Sequence, residues 1–287
     1  MNTRPRTIVI TGATSGIGEV AALQLAEHGA RIVFVARDAA RAQALLARLR
    51  SVNPHSEHSW HLADLSHIEA MRRVGDEIAA RESQIDVLIN NAGAVFMRPV
   101  RRLDGLAASF ATNHLAYHVV TLRLLDRLLS TAGARIICTS SRAHRFARLD
   151  FEHLQYDGIR GYALSKLCNL LFVRRLSQLL VSRDISVNAL HPGFVATRFA
   201  DNSGFFWRTL MQWRKAAHGR TPEEGARTIV YLAEAPEIAS KSGLYFVDCL
   251  PTEPSAAARS DADALRLWEL SSRLTGVYFP ESLARAR

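Results

Sequence analysis

Short apolar runs alternate with amphipathic stretches of helical period along nearly the whole chain. Runs such as Ile8-Val9-Ile10 and Ile32-Val33-Phe34-Val35 contain no polar position, which is typical of parallel strands covered on both faces. Strands are predicted at Thr7–Thr11, Arg31–Ala36, Ser59–Ala63, Ile85–Asn90, Arg135–Ser140, Ile185–His191 and Gly243–Val247. Helices are predicted between them at Gly16–His28, Ala39–Arg50, His67–Arg81, Gly105–Ser130, Gly161–Ser182 and Pro222–Ala235.

This alternation predicts an α/β fold, a doubly wound parallel sheet of seven strands. Neither a linker nor a composition shift divides the chain, so residues 1–287 are expected to form one domain with a tail over about 248–287. Arg142–Arg160 and Phe199–Arg220 are expected to be irregular. The second segment carries Phe205-Phe206-Trp207, and we expect either a lid over an apolar substrate or an ordinary amphipathic helix.

Composition excludes several classes of protein. Of 287 residues, 48% are hydrophobic and 22% charged, which excludes a disordered or low-complexity chain. No apolar run is long enough to cross a bilayer, and the first residues lack an apolar targeting core, so neither an integral membrane segment nor a secretory signal is expected. Three unpatterned cysteines argue against a disulfide framework and a metal site, and predict a cytoplasmic location.

The net charge of +9 raises the question of an anionic partner. However, only Lys166, Lys215 and Lys241 are lysines, and the arginines are scattered without a run of five basic residues. Scattered charge produces a weaker field than a stripe, so binding to nucleic acid or an anionic membrane is disfavoured.

A glycine-rich turn follows the first predicted strand and opens the first predicted helix, in the sequence Thr11-Gly-Ala-Thr-Ser15-Gly16-Ile17-Gly18. Glycines allow a tight turn and let backbone N–H groups approach a pyrophosphate at a helix N-terminus, where the helix dipole favours negative charge. In the first βα unit of a doubly wound sheet, this turn predicts a dinucleotide site. The candidate cofactor-binding residues here are Gly12, Ser15, Gly16, Ile17 and Gly18.

The residues after the next three strands refine that prediction. Arg37 ends the second strand, where an arginine accommodates the 2′-phosphate of NADP and an acidic residue would bind the ribose of NAD. We therefore expect NADP(H) rather than NAD(H), although Arg37 can also be a solvated turn residue beside a capping Asp38. Asp64, followed by Leu65, can bind adenine or cap a helix. The run Asn91-Ala92-Gly93 can contact the cofactor or link neighbouring strands.

Tyr162 and Lys166 lie four residues apart in a predicted helix, so both side chains can face one cleft. A free tyrosine has a pKa of about 10, too high for efficient proton transfer at neutral pH. A neighbouring ammonium group would lower that pKa, so we expect an unusually acidic Tyr162. The preceding strand ends in Thr139-Ser140-Ser141, which places hydroxyl groups at the ligand edge of the sheet.

Five ordered motifs resemble those of the short-chain dehydrogenases/reductases: the glycine turn, Asn90-Asn-Ala-Gly93, Ser141, Tyr162-x-x-x-Lys166 and His191-Pro-Gly193. Three further segments are similar to the retinol dehydrogenase-like branch, namely Asn113-His-Leu115, Ser165-Lys-Leu-Cys-Asn169 and the tail with Ser242–Cys249 and Leu267–Ser271. The resemblance covers essentially the whole chain and implies a Rossmann fold.

The resemblance also implies roles for individual residues. Tyr162 would be the general acid/base, Lys166 would lower its pKa and hold the nicotinamide ribose, and Ser141 would donate to the substrate oxygen, with Ser140 as the alternative. Asn113 would anchor a water that links Lys166 to solvent. The residues implied to lie near the nicotinamide are Pro192, Gly193, Val195 and Thr197.

The predicted function is NADP(H)-dependent interconversion of a hydrophobic alcohol with its aldehyde or ketone. A non-catalytic dinucleotide-binding regulator and a double-bond reductase on the same scaffold are the alternatives. The four residues Arg142, His144, Arg145 and Arg148 are expected either at the pocket mouth or in solvent. Apolar stripes on the helices at Gly105–Ser130 and Gly161–Ser182 permit a homodimer or homotetramer, although buried helices look the same.

Overall fold

The computed structural model describes residues 4–97, 105–152, 156–193 and 220–284, and its strands form one sheet. The strands are Thr7–Thr11 (β1), Arg31–Ala36 (β2), Ser59–Leu62 (β3), Val87–Asn90 (β4), Ala134–Thr139 (β5), Ile185–His191 (β6), Tyr245–Val247 (β7) and Leu250–Pro251 (β8). Their order in the sheet is β3-β2-β1-β4-β5-β6-β7-β8, and all neighbours are parallel except β7 and β8.

Helices cover both faces of this sheet, so its central strands are apolar on both sides. The helices are Gly16–Glu27 (α1), Ala39–Val52 (α2), Ile68–Arg81 (α3), Ala108–Phe110 (α4), Ala116–Arg123 (α5), Leu125–Leu129 (α6), Gly158–Leu179 (α7), Pro222–Glu234 (α8), Asp261–Thr275 (α9) and Glu281–Ala284 (α10). Ile8 and Ile10 face one hydrophobic core with α1, α2 and α8, while Val9 faces the other with α3, α5, α7 and α9.

Helix starts follow the capping residues in the sequence. The Asp38 carboxylate accepts a hydrogen bond from Arg41 N at 3.0 Å and caps α2. Thr221 and Glu224 form a reciprocal capping box at α8, with Pro222 in the first helical position, where its missing N–H costs nothing. Each cap satisfies a backbone donor that would otherwise lack a partner inside the helix.

The predicted doubly wound α/β fold is confirmed, with one correction to its strand number. Eight strands, not seven, are present among the described residues, because Asp248 and Cys249 form a two-residue hairpin that adds β8 in antiparallel pairing with β7. Both hairpin residues have positive φ, 54° and 64°, a conformation that glycine usually supplies. The sequence Asp-Cys therefore gave no turn signal.

The predicted helix Gly105–Ser130 is wrong as a single helix. Ala111–Leu115 forms a π-helical turn between α4 and α5, and Leu124 separates α5 from α6. A π-turn inserts a residue without interrupting the apolar pattern, so periodicity does not reveal it. Other predicted boundaries shift by one to three residues: strands Ser59–Ala63, Ile85–Asn90, Arg135–Ser140 and Gly243–Val247, and helices Gly16–His28, Ala39–Arg50, His67–Arg81, Gly161–Ser182 and Pro222–Ala235.

The tail contains a 15-residue helix, α9, that packs on α7 and α5. Trp268 stacks on Phe172 of α7 with ring centroids 5.7 Å apart and meets the His118 ring of α5 edge-on at 5.0 Å. Arg174 Nε also donates to Asp261 Oδ1 at 2.7 Å. The apolar stripes of α5 and α7 are thus covered by the chain itself.

Candidate active site

The candidate site lies where β1 and β4 are neighbours in the sheet, since the chain winds to opposite sides from these two strands. At such a switch point the connections diverge and leave a crevice at the carboxyl ends of the strands. The glycine turn after β1, the Asn91 loop after β4 and the hydroxyl residues after β5 all lie at this edge.

The glycine turn is a close-packed backbone cradle. Gly12 and Gly16 have φ of +70° and +59°, which side chains strongly disfavour. A Cβ at Gly18 would overlap the Gly12 carbonyl oxygen and lie 2.5 Å from Asn91 Nδ2. The Ser15 side chain makes no capping hydrogen bond, so it does not occupy the N–H groups that begin α1. This geometry fits the pyrophosphate of a dinucleotide.

Asn91 holds the glycine turn to the neighbouring strands. Its Nδ2 donates to Thr11 O at 3.2 Å and to Gly12 O at 3.1 Å, and its Oδ1 accepts from Thr139 Oγ1 at 3.3 Å. The Thr11 hydroxyl accepts from the backbone N–H groups of Asn91 and Ala92 at 3.0 and 3.1 Å. Asn91 therefore links β1, β4 and β5 beneath the crevice.

The residues after β2 and β3 lie at the same edge. Arg37 is exposed and directly follows β2, while Asp38 is used in the cap of α2. The Asp64 carboxylate accepts from Ser66 N at 3.0 Å and from Ser66 Oγ at 2.7 Å, so it stabilises the turn before α3 and does not form the predicted helix cap, since α3 begins at Ile68 after His67. Leu65 is buried beside that turn.

The two candidate serines point in different directions. Ser140 Oγ is buried and donates to Lys166 O at 2.8 Å, so it links β5 to α7. The Ser141 side chain hydrogen-bonds Tyr162, in the first turns of α7, and its Oγ also accepts from Ala143 N at 3.2 Å. The arrangement brings Ser141, not Ser140, to the Tyr162 phenol.

Lys166 is buried on the same helix. Its Nζ donates to Thr139 O at 3.0 Å and lies 5.7 Å from the ring centroids of both Tyr162 and Tyr117. Asn169 Nδ2 donates to the same carbonyl oxygen at 3.2 Å. The last carbonyl of β5 therefore holds Lys166 one helical turn from Tyr162. The ammonium group also lies close to Gly93, where a Cβ would be 3.3 Å from Nζ.

The expected acidification of Tyr162 is wrong for the protein alone. Burial raises the pKa of Tyr162 to about 12, although its hydrogen bond with Ser141 lowers that pKa in part. Burial also lowers the pKa of Lys166 to about 7, so the lysine carries only part of its charge at neutral pH. Desolvation is the larger effect on both groups, and the ammonium group donates to the Thr139 carbonyl.

Asn113 lies in the π-turn and is fully buried. Its Oδ1 accepts from Ala94 N at 2.8 Å, while its Nδ2 donates to Ala94 O at 2.9 Å and to Ser165 Oγ at 3.0 Å. This reciprocal pair fixes the loop after β4 against α7. Both side-chain amide hydrogens are used, so the side chain itself keeps only the second lone pair of Oδ1 as an acceptor.

Comparison with known proteins decides the family. Residues 6–204 match the family model described as short chain dehydrogenase, which is more than half of the chain. This chain belongs to the short-chain dehydrogenase family. It is an oxidoreductase that acts on CH–OH groups, and the predicted resemblance is confirmed.

Full-length relatives place this short-chain dehydrogenase in the retinol dehydrogenase-like branch. Retinol dehydrogenase 14 of Mus musculus is 34% identical over 288 residues, covering 95% of this chain and 86% of the relative. The WW domain-containing oxidoreductase of Drosophila melanogaster is 36% identical over 281 residues, covering 94% of this chain and 68% of the relative.

Solved structures agree in fold. An uncharacterized protein from Mycobacterium Paratuberculosis superposes with a TM-score of 0.76 at 31% identity, covering 96% of this chain and 95% of that chain. RhlG of Pseudomonas aeruginosa, solved as an active-site complex with NADP, gives a TM-score of 0.69 at 26% identity, covering 85% and 94%.

Other predicted residues of this short-chain dehydrogenase are placed as follows. Pro192 and Gly193 directly follow β6, and a Cβ at Gly193 would lie 2.5 Å from Arg220 Cδ. Val195, Thr197 and nearly all of the segment Phe199–Arg220 lie outside the described residues. Arg220 pairs with Asp248 after β7. No helix in the described ranges is long and apolar enough to cross a membrane, and they contain no group of three metal-ligating side chains.

Sequence reasoning missed three features of this short-chain dehydrogenase. The Thr11 hydroxyl and the Thr139 carbonyl organise the site through backbone contacts that no residue pattern reveals. Asn169 was noted only as part of a motif, although it lies three residues after Lys166 on the same helix face and was therefore a foreseeable neighbour. His144, expected at the pocket mouth or in solvent, is fully buried, while Arg142, Arg145 and Arg148 are exposed.

Proposed function

We propose that this protein interconverts a hydrophobic alcohol with its aldehyde or ketone using NADP(H), with Tyr162 as general acid/base. One observation carries the proposal: the Tyr162 side chain is hydrogen-bonded to Ser141, which follows β5 at the same edge of the sheet where the glycine turn Gly12–Gly18 follows β1. Lys166 is buried one helical turn away. A proton donor, a hydroxyl donor and a dinucleotide site on one edge are the parts that carbonyl reduction needs.

The dinucleotide would be held by the glycine turn and by the residues after β2, β4 and β6. When bound, it supplies the hydride. The chain itself must then orient the carbonyl and stabilise the charge that develops on its oxygen. Ser141 would donate a hydrogen bond to that oxygen, and its hydrogen bond with Tyr162 supports this role. Tyr162 would donate the proton.

The protonation states favour the reducing direction. With a pKa of about 12, Tyr162 keeps its proton at neutral pH and can donate it. Lys166, with a pKa of about 7, can exchange protons near neutrality and lies beside the phenol ring. A proton given up by Tyr162 can therefore be replaced through the lysine. Asn113 holds the polar groups near this lysine in place through its hydrogen bonds to Ala94 and Ser165.

The proposed preference for NADP(H) rests on Arg37. It is exposed directly after β2, at the edge where the adenosine ribose would lie, and it takes part in none of the ion pairs within the described ranges. A planar guanidinium fork suits a phosphate group. The NADP complex of RhlG, 26% identical to this chain, supports the same assignment.

The substrate class is proposed from the branch and the sequence. Relatives named retinol dehydrogenase indicate an apolar alcohol or aldehyde. The aromatic residues Phe205, Phe206 and Trp207, which lie outside the described residues, suit the same class. We therefore propose a hydrophobic carbonyl compound as substrate, bound above Ser141 and Tyr162.

Replacement of the phenol oxygen tests the proposed mechanism. Tyr162→Phe should abolish NADPH oxidation with a panel of apolar aldehydes and ketones, because the proton donor is gone. NADPH binding, followed by its fluorescence, should be largely retained. Tyr231→Phe on α8, on the opposite face of the sheet, is the matched control and should keep full activity. Near-normal turnover by Tyr162→Phe would remove this residue from the mechanism.

Replacement of Arg37 tests the cofactor preference. Arg37→Ala should weaken NADPH binding by about tenfold or more, the cost of one charge-assisted hydrogen-bond pair, and should leave NADH binding nearly unchanged. Arg50→Ala removes the same charge from the far end of α2 and serves as the control. Equal loss of affinity for both dinucleotides in Arg37→Ala would refute the phosphate contact.

A further inference from the structure

One fully buried imidazole bridges the candidate active site and the C-terminal part of the chain. His144 lies in the short 3₁₀ turn Arg142–Phe146, directly after β5. Its Nδ1 is 2.6 Å from Ser141 O, and its Nε2 is 3.1 Å from Ser255 N. The ring also meets Tyr245 of β7 edge-on, with centroids 5.3 Å apart.

These two contacts fix the tautomer of the ring. The partner of Nε2 is a backbone N–H, which can only donate, so Nε2 must be the unprotonated acceptor. The partner of Nδ1 is a carbonyl oxygen, which can only accept, so Nδ1 must carry the hydrogen. His144 is therefore neutral with its proton on Nδ1, and burial, which lowers its pKa, supports the neutral form.

Ser141 therefore has two contacts: its carbonyl oxygen accepts from the His144 ring, and its side chain is hydrogen-bonded to Tyr162. Ser141 is extended, with φ −159° and ψ 153°, and its Oγ accepts from Ala143 N inside the same turn. His144 anchors the carbonyl side of Ser141 while Ala143 contacts its side chain. Together they restrict the direction of the hydroxyl.

We propose that His144 is a positioning residue for Ser141. The ring of His144, which lies 111 residues before Ser255 in the sequence, couples the backbone of Ser141 to Ser255 and thereby keeps the Ser141 hydroxyl directed at Tyr162. The catalytic consequence rests on the proposed function, whereas the tautomer assignment does not.

Two substitutions separate the two contacts of the ring. In His144→Asn the amide nitrogen occupies the position of Nδ1 and can still donate to Ser141 O, but the contact with Ser255 is lost. In His144→Gln the amide oxygen occupies the position of Nε2 and can accept from Ser255 N, but the side-chain hydrogen bond to Ser141 O is lost and only the backbone N–H of residue 144, 3.1 Å from that oxygen, still donates to it. We expect kcat to fall about tenfold in the glutamine variant, the effect of one lost hydrogen bond, and to be mostly restored in the asparagine variant. KM for NADPH should not change in either.

The other end of the bridge has its own matched pair. Ser255→Pro deletes the N–H that fixes Nε2, whereas Ser255→Ala keeps it and removes only a buried hydroxyl that has no hydrogen-bond partner among the described residues. We expect a smaller loss of kcat in the proline variant than in His144→Gln, because the ring keeps its hydrogen bond to Ser141 O and loses only its contact with the C-terminal segment, and we expect wild-type kinetics in the alanine variant. ¹⁵N NMR of the wild-type imidazole should show a protonated Nδ1 and an unprotonated Nε2.

The outcomes are decisive even if a variant fails to fold, because the NMR measurement uses the unaltered protein. A protonated Nε2, or an unchanged kcat in His144→Gln when Tyr162→Phe is inactive, would overturn the positioning role. Full activity of Tyr162→Phe would instead overturn the proposed function, and the catalytic consequence for Ser141 with it. Equal losses of kcat in the asparagine and glutamine variants would also count against the proposal, since they would show that only the volume of the ring matters.

Discussion

Acid should destabilise this protein through two histidines buried between α5, α7 and α9. His114 Nε2 contacts Ser271 Oγ at 2.9 Å, and His118 Nε2 donates to Val277 O at 3.1 Å. Both rings are fully buried, and burial lowers their pKa values to about 3 and about 4. In the unfolded chain each would return to a pKa of about 6.5.

The sign and size of the effect follow from proton linkage. Below pH 6.5 these two histidines bind protons in the unfolded chain but stay neutral in the folded protein, so the free energy of unfolding falls as the pH falls. Between pH 7.5 and pH 5.5 each histidine should lower it by about 1.4 kcal/mol, and the pair by about 2.7 kcal/mol. This contribution to stability is fully present above pH 6.5 and continues to decline until the folded pKa values are reached.

Urea unfolding followed by tryptophan fluorescence at both pH values measures this loss. His58, His61, His144 and His191 also have lowered pKa values, so the total loss alone does not assign the effect. His114→Gln and His118→Gln retain a hydrogen-bonding group without titrating near neutrality. Each should reduce the pH-dependent loss by about 1.4 kcal/mol, whatever its effect at pH 7.5. An unchanged pH dependence in both variants would refute the reasoning.

Two further substitutions test the crevice and the tail. Gly18→Ala should weaken dinucleotide binding at least about tenfold in a fluorescence titration, because the new methyl group overlaps the Gly12 carbonyl oxygen and must displace the glycine turn. Unchanged affinity would contradict the proposed role of the glycine turn. Trp268→Ala should lower the free energy of unfolding, measured in urea, by about 3–5 kcal/mol, since the indole ring packs on Phe172 and His118. A loss below about 1 kcal/mol would show that the packing of α9 contributes little to stability.

The strands and most helices were predictable because their signals are local. An unbroken run such as Ile32–Val35 has few alternatives to a strand covered on both faces. The π-turn at Ala111–Leu115 and the hairpin at Asp248 were not predictable, because each depends on how the chain packs rather than on a residue preference. A positive φ at Asp248 carries no sequence signature of the kind that glycine would give.

The residue types of the candidate site were visible in the sequence, but their electrostatics were not. Spacing alone placed Tyr162 and Lys166 on one face of a helix. Whether the lysine acidifies the tyrosine depends on burial and on the third group that the lysine contacts, here Thr139 O. The choice between Ser140 and Ser141 likewise depends on which way each side chain leaves the strand.

The position of α9 has a consequence for self-assembly. Residues 116–122 of α5 and most of the core-facing residues of α7 are already out of contact with water within a single copy, partly through Trp268 and its neighbours. Two copies cannot bring these helix faces together while α9 occupies them. A contact between two copies through these covered faces would require α9 to move away from α7.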